Sequence, residues 1–356
     1  MPAHVKHESI AAACERAVLN ARGGDPRLGF RISTEAYRKA KAEGGPAAVL
    51  TALNAVAICQ ASNGMHINAL GTAMDAYRLA VELQEGRGRV HAMLSFAFAA
   101  IDIFRVPGPE FLEIIRRCRD EAAALRDASL QARAENTLGA AHMIAGDFAA
   151  ARKAYQRALA LAPATHGSTP ESLVLGNLAN VGVRMTEAAA RDKRGELAAE
   201  ARRLVEAALE CAVADKAVGA ELRAHANGGW LLALEGRHEE ALDWLGRALA
   251  IARRCKHHTH VAVVNKQIGD ALMALGRHAE AAEAYEAAFA VASEIRPDRV
   301  LQDVCNRRAD ALHRMGDAAG AARAFARAAE ESVLYDRERS HARATLRRFL
   351  REIGSL

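Results

Sequence analysis

The chain has 356 residues, of which 51% are hydrophobic but only 4% aromatic. This length exceeds what one compact core holds, so repeats or several domains are expected, and the abundance of alanine argues against β-sheets. The formal net charge of +5 is small for such a chain; it fits an acidic partner but does not by itself indicate a nucleic-acid-binding protein.

Targeting signals are missing from the sequence. No apolar run reaches the length of a transmembrane helix, and residues 1–6 lack the apolar stretch of a signal peptide. The six cysteines stand singly inside helical patterns, as small core residues do in a reducing compartment. We therefore expect a cytoplasmic protein that does not contact a membrane.

In chain order, apolar periodicity predicts about eight helix pairs and a final helix from about residue 338. The pairs begin near residues 8, 46, 88, 128, 171, 216, 257 and 297. We expect partly degenerate N-terminal repeats over residues 1–162 and a connecting loop over 163–170. C-terminal repeats over 171–336 and a capping helix over 337–356 complete the predicted organisation.

A glycine register marks the repeats most clearly. Gly236, Gly276 and Gly316 are 40 residues apart, and each is followed at offset five by alanine. A large apolar residue follows at offset nine, on the same helix face. The pattern of small, large and small residues is typical of a close helix–helix contact, so we expect Tyr285 and Phe325 to be core residues.

The segment around residue 146 carries the most specific signature. It resembles the tetratricopeptide repeat, through Leu138, Gly139, Ala151, Tyr155, Ala158 and Pro163. The longer period of 40 residues is similar to that of the sensory repeats of bacterial regulators. This resemblance implies an all-α, right-handed superhelical solenoid of about eight antiparallel helix pairs with a C-terminal capping helix.

The resemblance also implies that the first helix of each pair lines the concave surface, where packing does not require large polar residues. Asparagine amides can pair with a peptide backbone, and Arg and Lys can bind a carboxylate. We therefore predict a peptide-binding site, although a merely solvated face is the alternative. The predicted residues are Arg133, Asn136, Asn177, Asn180, Arg223, Asn227, Trp230, Lys266, Asp270 and Asn306.

The segment from Cys255 to His260 holds four side chains that bind metals in other proteins: Cys255, His257, His258 and His260. No second ligand cluster accompanies it, so we interpret it as a polar turn between repeats and predict no metal. The sequence also lacks a P-loop, a GxSxG elbow and an HExxH motif. An enzyme is therefore the least expected class, and we predict neither catalytic residues nor a cofactor.

The C-terminal segment carries an apolar stripe at helical spacing, formed by Leu346, Phe349, Leu350 and Ile353. We expect this stripe to cover the last repeat. The alternative is a docking helix for a partner or for a second copy in a homodimer.

Two functions compete on this pattern. The first is a scaffold or adaptor in bacterial signalling that binds a protein or an extended, acidic peptide. The second is the ligand- or peptide-sensing region of a larger regulator of the cyclase or transcription-factor type. The sequence does not identify the partner. An aromatic-lined pocket would favour the sensor, and a long open polar groove would favour the scaffold.

Overall fold

The computed structural model describes residues 8–23, 25–101, 109–162, 170–295 and 299–354. These ranges contain sixteen α-helices and no β-strand, arranged as eight antiparallel pairs. The helices are α1 Ile10–Gly23, α2 Pro26–Glu43, α3 Pro46–Ser62, α4 His66–Glu82, α5 Gly86–Ile101, α6 Pro109–Ala124, α7 Ala128–Ala145, α8 Phe148–Leu161, α9 Glu171–Ala188, α10 Arg191–Ala214, α11 Val218–Leu234, α12 His238–Arg254, α13 His258–Ala274, α14 His278–Ile295, α15 Arg299–Arg314 and α16 Ala318–Glu352. The predicted all-α solenoid is confirmed.

Local sequence explains where these helices begin and end. The side chain of Asp147 accepts a hydrogen bond from the backbone N–H of Ala150, which caps α8. Asp317 caps α16 in the same way through Gly320. The periodic glycines have positive φ angles, 80° at Gly236 and 75° at Gly276, a conformation that other residues rarely adopt. The 40-residue glycine register is therefore a register of helix ends.

The large residues of the repeat pack into gaps left by a second set of glycines. A Cβ placed on Gly269 would lie 2.5 Å from the ring of Tyr285, and one on Gly139 would lie 2.6 Å from the ring of Tyr155. Both tyrosines are buried, so the prediction for Tyr285 is confirmed. Two helices approach this closely only because the glycine has no side chain.

The prediction for Phe325 is wrong. This side chain is 53% exposed, although it occupies the same repeat position as Tyr285. The residue that corresponds to Gly269 in the last pair is Ala309, which is buried and carries a methyl group where the earlier pairs have a glycine. Phe325 therefore points to solvent.

The C-terminal helix also differs from the prediction. There is no boundary near residue 337, because α16 is one helix of 35 residues. Its apolar stripe does cover apolar surface, but that of the second and third pairs rather than that of the last repeat. Phe349 stacks on Phe96 at 4.2 Å and meets the edge of Tyr77 at 5.2 Å. The stripe is buried within the chain, so it does not offer a free face to a second copy.

The N-terminal end also contacts a distant part of the chain. Helix α1 contacts α11, and Lys256 Nζ lies 3.9 Å from Asp25. At the other end, Arg78 pairs with Glu352 at 2.7 Å. Because the first and last pairs both pack against distant repeats, the solenoid closes on itself. The concave surface therefore faces the inside of a closed superhelix.

The predicted connecting loop lies almost wholly outside the described residues, which omit 163–169. The helices on either side of it share one apolar cluster that includes Tyr155, Val174 and Leu178. The division of the chain into two sets of repeats stays a prediction. Among the described helices, none combines the length and the hydropathy needed to cross a membrane.

Candidate functional site

The ten residues predicted to form the binding site lie on five consecutive first helices. Two lie on α7, two on α9, three on α11, two on α13 and one on α15. They do not form one uniform surface. Their hydrogen bonds and ion pairs divide them into an asparagine ladder, an isolated arginine and a charged network.

The asparagine ladder consists of Asn136, Asn177, Asn180 and Asn227. Asn177 Nδ2 donates to Asn136 Oδ1 at 2.8 Å, which joins α9 to α7. Asn180 Nδ2 donates to Asn227 Oδ1 at 3.0 Å, and Asn227 Nδ2 donates to the carbonyl oxygen of Gly176 at 3.0 Å. These bonds hold the amides in fixed orientations. The Oδ1 atoms of Asn177 and Asn180 bond to no described residue and can accept an N–H.

The charged network surrounds Lys266 on α13. Lys266 Nζ lies 3.2 Å from Asp270 and 3.3 Å from Asp303. Arg307 contacts the same two carboxylates, at 2.8 and 3.2 Å. Tyr285 donates its hydroxyl to Asp270 at 2.7 Å. Two cations thus face two carboxylates, so this part of the concave face is electrically balanced without a ligand.

Arg223 on α11 has different surroundings. Its Nε atom lies close to α9, 4.0 Å from where a Cβ on Gly176 would be. Arg223 makes no hydrogen bond or ion pair with any residue that the structure describes, and its Nε atom is buried. Burial lowers the pKa of Arg223 to about 10, while Tyr155 opposes that shift. The side chain is therefore charged at neutral pH, and no carboxylate of the described residues compensates it.

Two histidines from the segment Cys255 to His260 lie near this guanidinium. His257 precedes α13 and His260 lies in its first turn, with their Nδ1 atoms 3.0 Å apart and their rings edge to face at 4.1 Å. Burial lowers the pKa of His257 to about 4, and the charge of Arg223 adds to the shift. Burial, His257 and Arg223 lower the pKa of His260 well below its usual value.

This segment was expected to be a polar turn; the structure places His257 and His260 in contact, and the charge of Arg223 acts on both rings. In the described part of the chain, no three His, Cys, Asp or Glu residues are grouped so that they could hold a metal ion. A neighbouring guanidinium also repels a cation. Sequence reasoning missed the link to Arg223 because the two elements are more than thirty positions apart.

The remaining predicted residues have separate surroundings. Arg133 bonds to Nδ1 of His91 on α5. The ring of Trp230 is covered by the guanidinium of Arg184, whose central carbon lies 4.4 Å from the ring centroid. Asn306 is exposed on α15. These three therefore lie at the margins of the ladder and of the network.

Comparison with known proteins supports the repeat assignment. Models of the tetratricopeptide repeat match residues 132–165 and 267–294, the segments that contain Tyr155 and Tyr285. No curated protein matches the chain.

Several solved structures share the fold. The chain is similar to a Rap protein complexed with Competence and Sporulation Factor, with 14% identity and a TM-score of 0.60 over 81% of this chain and 77% of that chain. It is also similar to NprR in complex with its cognate peptide NprX, with 13% identity and a TM-score of 0.50 over 80% of this chain and 82% of that one. BtubC from P. vanneervenii has 18% identity and a TM-score of 0.50, over 62% of this chain and 89% of its own.

The repeat models match segments in which a glycine on the first helix accommodates a large residue on the second. Left-handed glycines follow α11, α13 and α15 at the predicted period, and the helices stack as antiparallel pairs. The chain therefore contains tetratricopeptide repeats, at residues 132–165 and 267–294.

Proposed function

We propose that this chain is a non-catalytic binding protein whose concave face takes an extended peptide, as part of bacterial signalling or regulation. The observation that carries the proposal is the asparagine ladder. Its amides are fixed by bonds between first helices, while the Oδ1 atoms of Asn177 and Asn180 have no described partner. Preorganised acceptors of this kind pair with the N–H groups of an extended backbone at little entropic cost.

The closed superhelix limits the size of the occupant. Because the two ends of the solenoid pack against distant repeats, the concave face is less accessible to a folded domain than an open groove would be. An extended segment fits this restriction better than a folded protein. The Rap and NprR structures bear on the proposal as proteins of similar fold, one complexed with a factor and the other with its cognate peptide.

The contacts of α16 favour the second candidate, a sensing region. Phe349 and Glu352 near the end of this helix join the last pair to α4 and α5, so a ligand that alters the pitch of the superhelix would strain or release this contact. Small-angle scattering with and without a selected peptide tests this role. A sensor changes its radius of gyration on binding, whereas a rigid scaffold does not.

A cytoplasmic location belongs to the same proposal. All six cysteines are free thiols, as expected in a reducing compartment. That the peptide is acidic is likewise a prediction. It depends on the positive charge of Arg223, which an acidic group of the peptide would compensate.

Selection from a display library of random peptides tests the binding function. We expect enriched peptides to bind the wild-type chain and to lose about tenfold in affinity, or roughly 1.4 kcal/mol, with Asn180→Ala. Gln156→Ala is the matched control, because Gln156 is an exposed amide on α8, a second helix. Failure to enrich any peptide, or equal losses in both variants, would contradict the proposed function.

A further inference from the structure

Helix α16 carries a long exposed face that packing within the chain does not use. Its first half is apolar and consists of five exposed residues at helical spacing, Ala318, Ala322, Phe325, Ala329 and Val333. Phe325 and Val333 are large side chains that are 53% and 54% exposed. A terminal repeat of a solenoid ordinarily has a polar outer face, because an apolar one favours association. The apolar half of this face therefore indicates contact with another molecule.

The repeat register shows how such a face is covered elsewhere in the chain. Ala322 and Ala329 stand 40 residues after Ala282 and Phe289, in register with the periodic glycines. On α14, Ala282 and Phe289 share a buried apolar cluster with Leu301 of α15, the first helix of the next pair. The exposed face of α16 thus repeats the surface on which a following helix packs.

The same face continues into a basic half. Arg343, Arg347 and Arg351 lie at i, i+4 spacing, about 6 Å apart along the helix axis, and Asp336 and Ser340 connect them to the apolar half. The three arginines are exposed and make no hydrogen bond or ion pair with a described residue. The helix dipole favours Arg351, which lies in the last turn, but like charges at this spacing repel one another. Carboxylates of a partner would remove that repulsion.

We propose that this face docks an amphipathic helix of a partner protein. Apolar side chains of that helix cover Phe325 and Val333, and its carboxylates pair with the three arginines. Consecutive helices of this chain run antiparallel, so the partner helix is expected to run antiparallel to α16, with its acidic half at its own N-terminal end. Because α16 is a second helix, this surface is separate from the first helices that carry the proposed peptide site, and the inference goes beyond the proposed function.

Other occupants do not match both halves of the face. In two parallel copies of α16, arginine would face arginine, and in two antiparallel copies the arginines would face Phe325 and Val333. Membrane surfaces are bound through large apolar side chains, whereas three of the five apolar residues here are alanine. Small residues instead allow a second helix to approach closely. A nucleic acid would leave the apolar half uncovered.

The test uses the full chain and a synthetic helical peptide of about 28 residues, which spans the face. Its facing positions carry glutamate in the N-terminal half and leucine in the C-terminal half. Fluorescence anisotropy of the labelled peptide should show saturable binding with a dissociation constant of about 10–100 µM, which weakens as salt is added. The same peptide with glutamine in place of glutamate should bind at least about tenfold more weakly.

Exchanging the charges of the two partners tests the basic half. The combined substitutions Arg343→Glu, Arg347→Glu and Arg351→Glu should weaken binding of the glutamate peptide at least about tenfold. The same variant should bind a peptide with lysine in place of glutamate more tightly than the wild type does. A purely structural role of these arginines would not produce this exchange of preference.

A matched control separates the face from net charge. Arg203→Glu, Arg253→Glu and Arg254→Glu make the same change in charge at exposed arginines of α10 and α12 that also have no described partner. This variant should bind the glutamate peptide within about threefold of the wild type. Phe325→Ser tests the apolar half and should weaken binding about fivefold, while urea unfolding shows that the variant stays folded.

The proposal is overturned if the glutamate and glutamine peptides bind equally, or if the triple arginine variant binds as the wild type does. Two further results would assign the face to another occupant and also overturn it. One is sedimentation of the wild type, but not of Phe325→Ser, with phosphatidylserine vesicles. The other is a dimer in analytical ultracentrifugation that Phe325→Ser dissociates.

Discussion

Two cations on the concave face differ in what surrounds them. Lys266 lies between Asp270 and Asp303, and Arg307 completes a balanced network that extends to α15. The charge of Arg223 acts on two histidines at the start of α13, and no carboxylate is among the described groups that act on it. In a repeat protein the neighbouring helices decide whether a charge stabilises the solenoid or is available to a ligand.

The structural setting of the two cations is otherwise alike. Both lie on first helices, and each is influenced by a buried tyrosine that packs against a glycine, Tyr155 for Arg223 and Tyr285 for the network of Lys266. The repeat thus supplies the same scaffold twice. The acids around the two cations differ, and the predictions below exploit that difference.

The largest expected effect concerns the tyrosine that supports the balanced network. Tyr285→Ala should lower the free energy of unfolding by about 3–5 kcal/mol, because it leaves a cavity beside Gly269 and removes a hydrogen bond from Asp270. Phe325→Ala is the matched control, since that ring is exposed, and it should change stability by less than about 0.5 kcal/mol. Urea unfolding measures both. Similar losses in the two variants would show that Phe325 packs as Tyr285 does.

An intermediate effect concerns acid stability around Arg223. The folded pKa of His257 is about 4, below the usual 6.5, so the unfolded chain binds more protons in the window between these values. Stability should therefore fall as the pH drops from 7 to 5, by roughly 2 kcal/mol from His257 alone. His260 acts in the same direction.

Urea unfolding at both pH values, with His257→Gln as the reference, isolates this contribution. Arg223→Met should reduce the loss, because removing the guanidinium raises the pKa of both histidines. An acid response that is identical in the wild type and in His257→Gln would show that this ring titrates normally and is not buried beside Arg223.

The glycine register allowed most of the fold to be predicted. Helices were expected to begin near residues 46, 128, 171 and 257, and they begin at 46, 128, 171 and 258. Local signals suffice for several of these ends, because Asp127 caps α7 and left-handed glycines follow α3, α7, α11, α13 and α15. Ala309 was a visible departure from the pattern that would have placed Phe325 correctly.

The contacts that distinguish the two cations could not be predicted in the same way. The i, i+4 spacing of Lys266 and Asp270 is readable from the sequence, but Asp303 and Arg307 come from the next pair, and their approach depends on superhelical pitch. The proximity of His257 and His260 to Arg223, and the return of Phe349 to Phe96, also depend on how the pairs stack. Periodicity fixes the face on which a residue lies, not its neighbours on other helices.

The most direct test of the comparison measures stability after each cationic side chain is replaced by methionine, which keeps a similar aliphatic volume but carries no charge. Arg223→Met and Lys266→Met are compared with the wild type by urea unfolding at pH 7.5 and low salt. Arg223→Met should raise the free energy of unfolding by about 1 kcal/mol, because it removes a buried charge that has no partner. Lys266→Met should lower it by about 1 kcal/mol, because Asp270 and Asp303 lose a cation. If instead Arg223→Met is destabilised as much as Lys266→Met, then Arg223 is compensated within the folded chain and is not held for a ligand.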